Sequence, residues 1–174
     1  MLQLKIIRLD DLESLGVGVF NFKSYSDDRG SLEVLFETNQ KICESGLSIK
    51  RSFSVAGVGR GLHLQGVEAP QSKLITVREG KLYDFLYDPV ANSENVYCFE
   101  LDSKRGVSIF IPPKFAHGFI SITDVAFEYT CFGAYNESYE VTYNVLPSAA
   151  EQLGLGQLKL SKKDSNAALV NVRL

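Results

Sequence analysis

Short apolar segments rich in β-branched and aromatic residues recur through the middle of the chain, and each is cut off by turn residues. This pattern predicts strands at 74–77, 82–87, 96–101, 107–111 and 125–132. A hairpin turn follows the first of them, and Pro89 closes the second because proline cannot donate to the hydrogen-bond ladder. Strands of this length at regular spacing are typical of an all-β sandwich or barrel. Short helices are expected at 10–15 and 148–153.

The size and charge of the chain narrow its class. With 174 residues, 45% of them hydrophobic, it is long enough for one sizeable core, so a single domain over 1–174 is expected. The net charge of −3 and the lack of a Lys/Arg-rich run argue against a nucleic-acid partner. Charges break the first segment and no apolar run reaches membrane-spanning length, which predicts a soluble, cytoplasmic protein with no membrane partner.

The cysteine usage argues against both a disulfide framework and a zinc knuckle. Cys43, Cys98 and Cys131 are odd in number, widely spaced and outside any CxxC pattern. We expect reduced thiols, most of them buried.

The chain has two histidines, and each lies in a short phrase near the end of a predicted strand. His63 follows Arg60-Gly61-Leu62, and His117 lies within 115–119. Histidine is the side chain best suited to moving protons near neutral pH. Polar side chains on strands of such a barrel suggest a cupin-like jelly roll with a ligand pocket at its mouth. A catalytic metal needs three or more converging His or carboxylate ligands, so these two distant histidines argue against a metal. No other cofactor is expected.

The order and spacing of these phrases resemble the dTDP-4-dehydrorhamnose 3,5-epimerase family, the cupin-fold enzymes of deoxysugar biosynthesis. The resemblance runs from Arg29-Gly30 to Asp164 and is strongest in 57–63, at Lys73, in 115–119 and in 161–164. It implies an isomerase that inverts C3, C5 or both centres of a nucleotide-linked 4-keto-6-deoxysugar.

The resemblance also implies roles for the proton-transfer residues. The protons beside the carbonyl of a 4-keto sugar are acidic, so inversion needs a base, a stabiliser for the enolate and an acid across the ring. By resemblance, His63 paired with Asp164 is the base, and Tyr129 reprotonates from the other face. Lys73 is implied at the carbonyl oxygen, with Asp84 holding its ammonium charged and oriented.

Further residues are implied to bind the substrate. Arg60 and Arg29 match cations that meet the diphosphate, for which a guanidinium fork is well shaped. His117 matches a histidine that lines the pocket and supports the site. Ser52 is retained from the family's nucleotide-contacting pattern.

Departures from the family pattern fall mainly on the nucleotide side. Ser48 and Lys50 stand where the family carries amides, and a glutamate expected after Arg29-Gly30 is displaced to Glu33 or lost. This predicts a preferred ligand other than an ordinary dTDP sugar, or one with altered contacts to thymine. The segment 136–156 is also shorter and lacks the Asp-Pro and Trp-Pro steps of the family.

Three alternatives stay open: a sugar-nucleotide 3,4-ketoisomerase, a non-catalytic sugar-nucleotide-binding cupin, and a metal-dependent cupin oxygenase. A second histidine soon after His63 would favour a ketoisomerase. The chain has Leu64 and Gln65 at these positions instead. Loss of His63 or Asp164 would favour a binding module, but both residues are present. The resemblance further implies a homodimer, in which the N-terminal segment through Arg29 joins the sheet of the partner.

Overall fold

The computed structural model describes residues 1–28, 30–38, 46–91 and 93–174. Its strands are β1 (Leu2–Ile6), β2 (Gly18–Asn21), β3 (Lys23–Asp27), β4 (Gly30–Val34), β5 (Leu47–Ser54), β6 (Gly59–Gln65), β7 (Ser72–Glu79), β8 (Lys81–Tyr87), β9 (Asn95–Asp102), β10 (Val107–Ile111), β11 (Ala116–Ser121), β12 (Val125–Phe132), β13 (Glu140–Thr142) and β14 (Val172–Arg173). The α-helices are α1 (Leu146–Gln152) and α2 (Lys162–Asn166), and 3₁₀ helices cover Leu9–Leu15, Ser103–Arg105 and Glu137–Tyr139.

The strands form two large sheets. One has seven strands in the order β13-β6-β11-β8-β9-β1-β14, and the other has five in the order β2-β10-β7-β12-β5. Strands β1 and β14, like β1 and β9, run parallel, whereas the pairs that build the rest of both sheets are antiparallel. The chain crosses between the sheets repeatedly, as the neighbours β7 and β12 or β8 and β11 show.

The main hydrophobic core lies between the two sheets. Ile75, Ile109 and Phe127 of the five-stranded sheet pack with Leu82 and Phe99 of the seven-stranded sheet in one buried cluster. This burial explains why the sheets face each other, since each has one apolar face to remove from water. The predicted all-β, cupin-like jelly roll with short peripheral helices is confirmed.

A second cluster covers the outer face of the seven-stranded sheet. Leu62, Phe85 and Ile120 pack there against Leu146 and Ala149 of α1. The predicted helix at 148–153 therefore exists but begins earlier, because Pro147 occupies the first turn, where its missing N–H costs nothing. The predicted helix at 10–15 is the 3₁₀ helix Leu9–Leu15.

The predicted strands are all present, and two have the predicted bounds: β10 and β12. Strands β7 and β8 are longer than predicted, and only Gly80 separates them. Gly80 has a φ of +82°, and a Cβ there would lie 2.0 Å from the carbonyl oxygen of Asp124. Glycine is therefore required at this hairpin.

The N-terminal segment corrects one expectation. Strands β1 and β2 pair with β9 and β10 of the same chain, and Leu4 and Val17 lie in its own cores. The prediction that the whole segment joins a partner's sheet is therefore wrong for these strands, because they already pair with strands of their own chain. Strands β3 and β4 form a separate, exposed hairpin. Arg29 lies outside the described residues.

Two further expectations concern the surface and the thiols. In the described ranges, no helix is long and apolar enough to cross a membrane. Cys98 and Cys131 are free and buried, as predicted, and burial raises the pKa of the Cys98 thiol to about 12. Cys43 lies outside the described residues.

Candidate active site

A cavity of about 270 Å³ opens between the two sheets. Eight of the predicted site residues line it: Lys50, Ser52, Arg60, His63, Lys73, His117, Tyr129 and Asp164. Among the described residues, two predicted site residues, Asp84 and Glu33, do not line the cavity. Asp84 reaches the site through His117, and Glu33 lies on the exposed hairpin strand β4. Arg29, outside the described part of the chain, stays a prediction.

A short polar contact in the cavity joins His63 to Asp164. Nε2 of His63 lies 2.7 Å from Oδ1 of Asp164. The Ser161 hydroxyl donates to Oδ2 of the same carboxylate at 2.8 Å. Burial alone would raise the pKa of Asp164, but the hydrogen bonds from His63 and Ser161 outweigh it and hold that pKa below its ordinary value. Asp164 is therefore an ionised, acceptor-only partner at neutral pH.

Main-chain hydrogen bonds bring this part of the C-terminal tail to strand β6. The N–H of Gly59 donates to Lys159 at 3.0 Å, and the N–H of Lys159 donates to Gly57 at 2.9 Å. The Ser161 side chain then caps α2 by accepting from the N–H of Asp164 at 3.1 Å. The Ser-Lys-Lys-Asp sequence thus starts a helix and also aims its carboxylate at His63.

The close approach of β6 and β11 places the two histidines side by side. His63 lies opposite His117 in the register of these strands. A Cβ on Gly61 would lie 2.7 Å from the carbonyl oxygen of His117, and one on Gly118 would lie 2.3 Å from that of Arg60. The strands can approach this closely because both positions are glycine.

Lys73 reaches the same cavity from β7. Its ammonium donates to the carbonyl oxygen of His63 at 3.1 Å. Desolvation lowers the pKa of Lys73, while the charges of Glu140 and Asp84 partly oppose that change. The lysine is thus positioned beside His63, where a cation can stabilise negative charge that develops on a ligand oxygen.

Asp84 corrects a predicted pairing. Its Oδ2 lies 2.9 Å from Nε2 of His117, so its hydrogen-bond partner is His117 and not Lys73. Burial raises the pKa of Asp84, and the charges of His117 and Lys73 only partly offset it. Asp84 and His117 lie diagonally across β8 and β11, so their side chains share one face of the sheet. Asp84 therefore acts on Lys73 through charge alone.

Lys50 and Tyr129 face each other across β5 and β12. The ammonium of Lys50 lies 5.6 Å from the ring centroid of Tyr129 and 5.8 Å from that of Tyr135. Burial raises the pKa of Tyr129, which keeps the phenol protonated at neutral pH. At the same end of the cavity, Nε of Arg60 donates to the Ser54 hydroxyl at 3.0 Å.

Glu140 is a residue of this site that the sequence reasoning missed. Its Oε1 lies 3.5 Å from Nδ1 of His63, and Tyr135 donates to its Oε2 at 2.9 Å. The ammonium of Lys163 also pairs with Oε2. Glu140 lies on the short strand β13, inside the segment that departs from the family pattern, so no spacing signal marked it. At this position the sequence shows only Tyr139 followed by Glu140, which matches no motif.

The arrangement has the parts that proton transfer beside a carbonyl requires. A histidine oriented by an ionised carboxylate can accept a proton, a neighbouring ammonium can stabilise an enolate oxygen, and a protonated phenol can return a proton. These groups converge on one cavity from β6, β7, β12 and α2.

Comparison with known proteins gives consistent matches. The family profile described as dTDP-4-dehydrorhamnose 3,5-epimerase matches residues 12–171. A dTDP-4-dehydrorhamnose 3,5-epimerase of Methanothermobacter thermautotrophicus is 36% identical over 126 residues, which cover 67% of this chain and 66% of the relative. A dTDP-4-dehydrorhamnose 3-epimerase of Streptomyces niveus is 30% identical over 135 residues, covering 75% and 63% respectively. These matches span slightly less than two thirds of both relatives.

A solved structure extends the similarity to the fold. The dTDP-6-deoxy-D-glucose-3,5-epimerase of Legionella pneumophila, in complex with dTDP-4-keto-L-rhamnose, superposes with a TM-score of 0.71 and 27% identity. The superposition covers 88% of this chain and 87% of the other.

Proposed function

Because the chain belongs to the dTDP-4-dehydrorhamnose 3,5-epimerase family, we propose that it is an isomerase that inverts C3, C5 or both centres of a nucleotide-linked 4-keto-6-deoxysugar. The activity serves deoxysugar, and hence cell-surface polysaccharide, biosynthesis. The 2.7 Å contact between His63 and Asp164, with Lys73 and Tyr129 in the same cavity, carries the proposal. We also propose a cytoplasmic location, where soluble nucleotide sugars are available.

The proposed reaction proceeds in two proton transfers. Nδ1 of His63 takes the proton from the carbon beside the C4 carbonyl, and the electrons of the broken C–H bond form an enolate. The ammonium of Lys73 stabilises the negative charge on its oxygen. Tyr129 then gives its phenolic proton to the opposite face of that carbon, which inverts the centre. Tyr129 regains its proton from solvent, and His63 loses its proton before the next turnover.

Proton NMR in deuterated water tests this function directly. The enzyme is added to a dTDP-linked 4-keto-6-deoxyglucose and to its UDP, CDP and GDP counterparts, and deuterium incorporation is followed at C3 and C5. We expect incorporation at one or both positions with at least one nucleotide. No incorporation with any of the four would contradict an epimerase and favour a binding module.

The same spectra distinguish the remaining isomerase readings. The similarity to a relative named as a 3-epimerase favours a one-centre reaction as the second candidate, for which incorporation would occur at C3 alone. A 3,4-ketoisomerase would instead move the carbonyl to C3. The positions after His63 hold Leu64 and Gln65, which supply no second imidazole for that chemistry.

Replacing Tyr129 by phenylalanine separates abstraction from inversion. The change removes only the proposed acid, and the ring still packs at 5.7 Å from Phe127. We therefore expect deuterium exchange without formation of the inverted product, measured by NMR over the same time course. If exchange and inversion fall equally, Tyr129 contributes to binding or folding instead.

The nucleotide preference is a separate prediction. Lys50 and Ser52 line the cavity, and the Ser52 hydroxyl is buried with no hydrogen-bond partner among the described residues. Replacing an amide by lysine removes an acceptor and adds a cation, so a thymine fitted to amides should lose about 1 to 3 kcal/mol per unpaired group.

Calorimetric titration with dTDP, UDP, CDP and GDP measures this preference. We expect a nucleotide other than dTDP to bind tightest, and we expect Lys50→Asn to strengthen dTDP binding. A dTDP affinity tenfold above the others would show that neighbouring residues supply equivalent contacts to thymine.

We also propose that the protein is a homodimer. Strand β5 forms an edge of the five-stranded sheet, and its outward side chains Ile49 and Phe53 are 74% and 69% exposed. An unpaired edge with an apolar face is a ready site for pairing with another chain. Light scattering at micromolar concentration should give twice the mass of the chain, and Ile49→Glu/Phe53→Glu should give a monomer. A monomeric wild type would refute the proposal.

A further inference from the structure

Glu140 flanks the nitrogen of His63 that Asp164 leaves open. Asp164 is ionised and can only accept, so the 2.7 Å contact requires the proton to be on Nε2 of His63. The neutral ring then has its lone pair on Nδ1, which faces Oε1 of Glu140 at 3.5 Å. Two acceptors cannot form a hydrogen bond, and the gap exceeds the roughly 2.7 to 3.2 Å of an N–H···O bond.

Proton abstraction changes this relation. Once Nδ1 has taken a proton from the substrate carbon, the imidazolium can donate to Oε1 of Glu140, and a shift of a few tenths of an ångström completes the bond. The contact is thus unmade in the resting state and favourable only after the chemical step.

Its other neighbours keep Glu140 ionised in the resting state. Burial would raise the pKa of Glu140, but hydrogen bonds from Lys163 and Tyr135 outweigh it, so that pKa lies below its ordinary value. Lys163 precedes Asp164 in α2, so one short helix holds both carboxylates against the two nitrogens of His63. Tyr135, bonded to Oε2, is 53% exposed and connects Glu140 to solvent.

Inversion leaves a proton on His63 that a second group must remove, because the proton returned to the sugar comes from Tyr129. We propose that Glu140 is the residue that empties His63, an inference that rests on the proposed epimerase function. The N–H bond at Nδ1 breaks, an O–H bond forms at Oε1, and the proton then leaves to water beside Tyr135. The ring returns to its neutral form with Nδ1 free for the next substrate.

Comparison of single and multiple turnovers tests this role. Glu140→Ala removes the proton acceptor without placing an amide N–H against Nδ1, whereas Glu137→Ala changes an exposed neighbouring glutamate and serves as the matched control. With enzyme in excess, rapid quenching should show inversion by Glu140→Ala within about threefold of the wild type. With substrate in excess, its turnover should fall by about 10²-fold, a typical contribution of one proton-transfer group. Glu137→Ala should match the wild type in both.

Small carboxylic acids provide a second readout. Formate added to Glu140→Ala should restore steady-state turnover in proportion to its concentration, because it supplies the missing acceptor. An equal loss of the single-turnover and steady-state rates in Glu140→Ala, together with no rescue by formate, would overturn the relay and leave Glu140 as a residue that only positions His63.

The proximity of Glu140 to Nδ1 of His63 can also be tested without substrate, because the chain has only two histidines and their signals can be told apart. In ¹⁵N spectra of histidine-labelled protein, Glu140→Gln should shift the Nδ1 signal of His63 and leave its Nε2 signal in place. An unchanged Nδ1 signal would overturn the inference. Absence of deuterium exchange by the wild type would instead contradict the proposed function, and the ¹⁵N spectra would then decide the contact alone.

Discussion

His63→Ala is expected to lower the rate of deuterium exchange and of inversion by about 10²- to 10⁴-fold, the range for loss of a catalytic base. The side chain is one-third exposed and its close partners are the carboxylates of Asp164 and Glu140, so its removal takes little packing from the core. The fold should remain intact. Circular dichroism and thermal unfolding check this point, and NMR in deuterated water measures the exchange.

The result depends on His63 and on no other imidazole. His117 is buried against Asp84, and its Nε2 is committed to that carboxylate. It is therefore not expected to replace His63 as the base. Near-normal exchange by a folded His63→Ala variant would end the proposed mechanism, including the role of Glu140.

Asp164→Asn is expected to lower the rate about as much as His63→Ala, although aspartate and asparagine side chains have nearly the same shape. The new amide can accept from Ser161 and donate to Nε2 of His63, where the carboxylate accepts at 2.7 Å. The ring proton would then move to Nδ1, which removes the lone pair that the reaction needs. Loss of an orienting carboxylate in a catalytic triad lowers the rate by about 10⁴-fold for this reason.

Comparison with Asp164→Ala separates charge from tautomer. Alanine removes the acceptor without imposing a donor, so the ring can still present a lone pair in a fraction of molecules. We expect Asp164→Asn to be at least as impaired as Asp164→Ala in steady-state NMR assays. An asparagine variant with near-normal turnover would show that the carboxylate does not set the state of His63.

The fold was predictable where local pattern and packing agree. Strands β10 and β12 begin and end where their mainly apolar segments begin and end, so their predicted bounds match the observed ones. Strand β14 and its parallel pairing with β1 were not predicted, because they depend on the N-terminal and C-terminal segments meeting in the folded chain. Two residues of β14 carry no periodic signal.

The site was predictable only in part. The meeting of His63 with Asp164 follows the spacing of the resemblance, and the structure brings the two side chains together. Asp84 was assigned to the wrong partner, because its diagonal contact with His117 depends on the register of β8 with β11. Glu140 was missed because its contact with His63 depends on the pairing of β13 with β6, which the sequence of the loop does not reveal.

The proposed nucleotide contacts and the proposed base lie on different sheets, which bears on how such a protein diversifies. The proposed base, Asp164 and Glu140 belong to β6, α2 and β13, whereas the proposed nucleotide contacts Lys50 and Ser52 alternate along the edge strand β5. Because alternate residues of β5 face the cavity, two or three substitutions there can retarget the ligand without altering the contacts of His63 with Asp164 and Glu140. Selectivity can therefore evolve, or be engineered, with the proposed base unchanged, although a change at Lys50 also alters the surroundings of Tyr129.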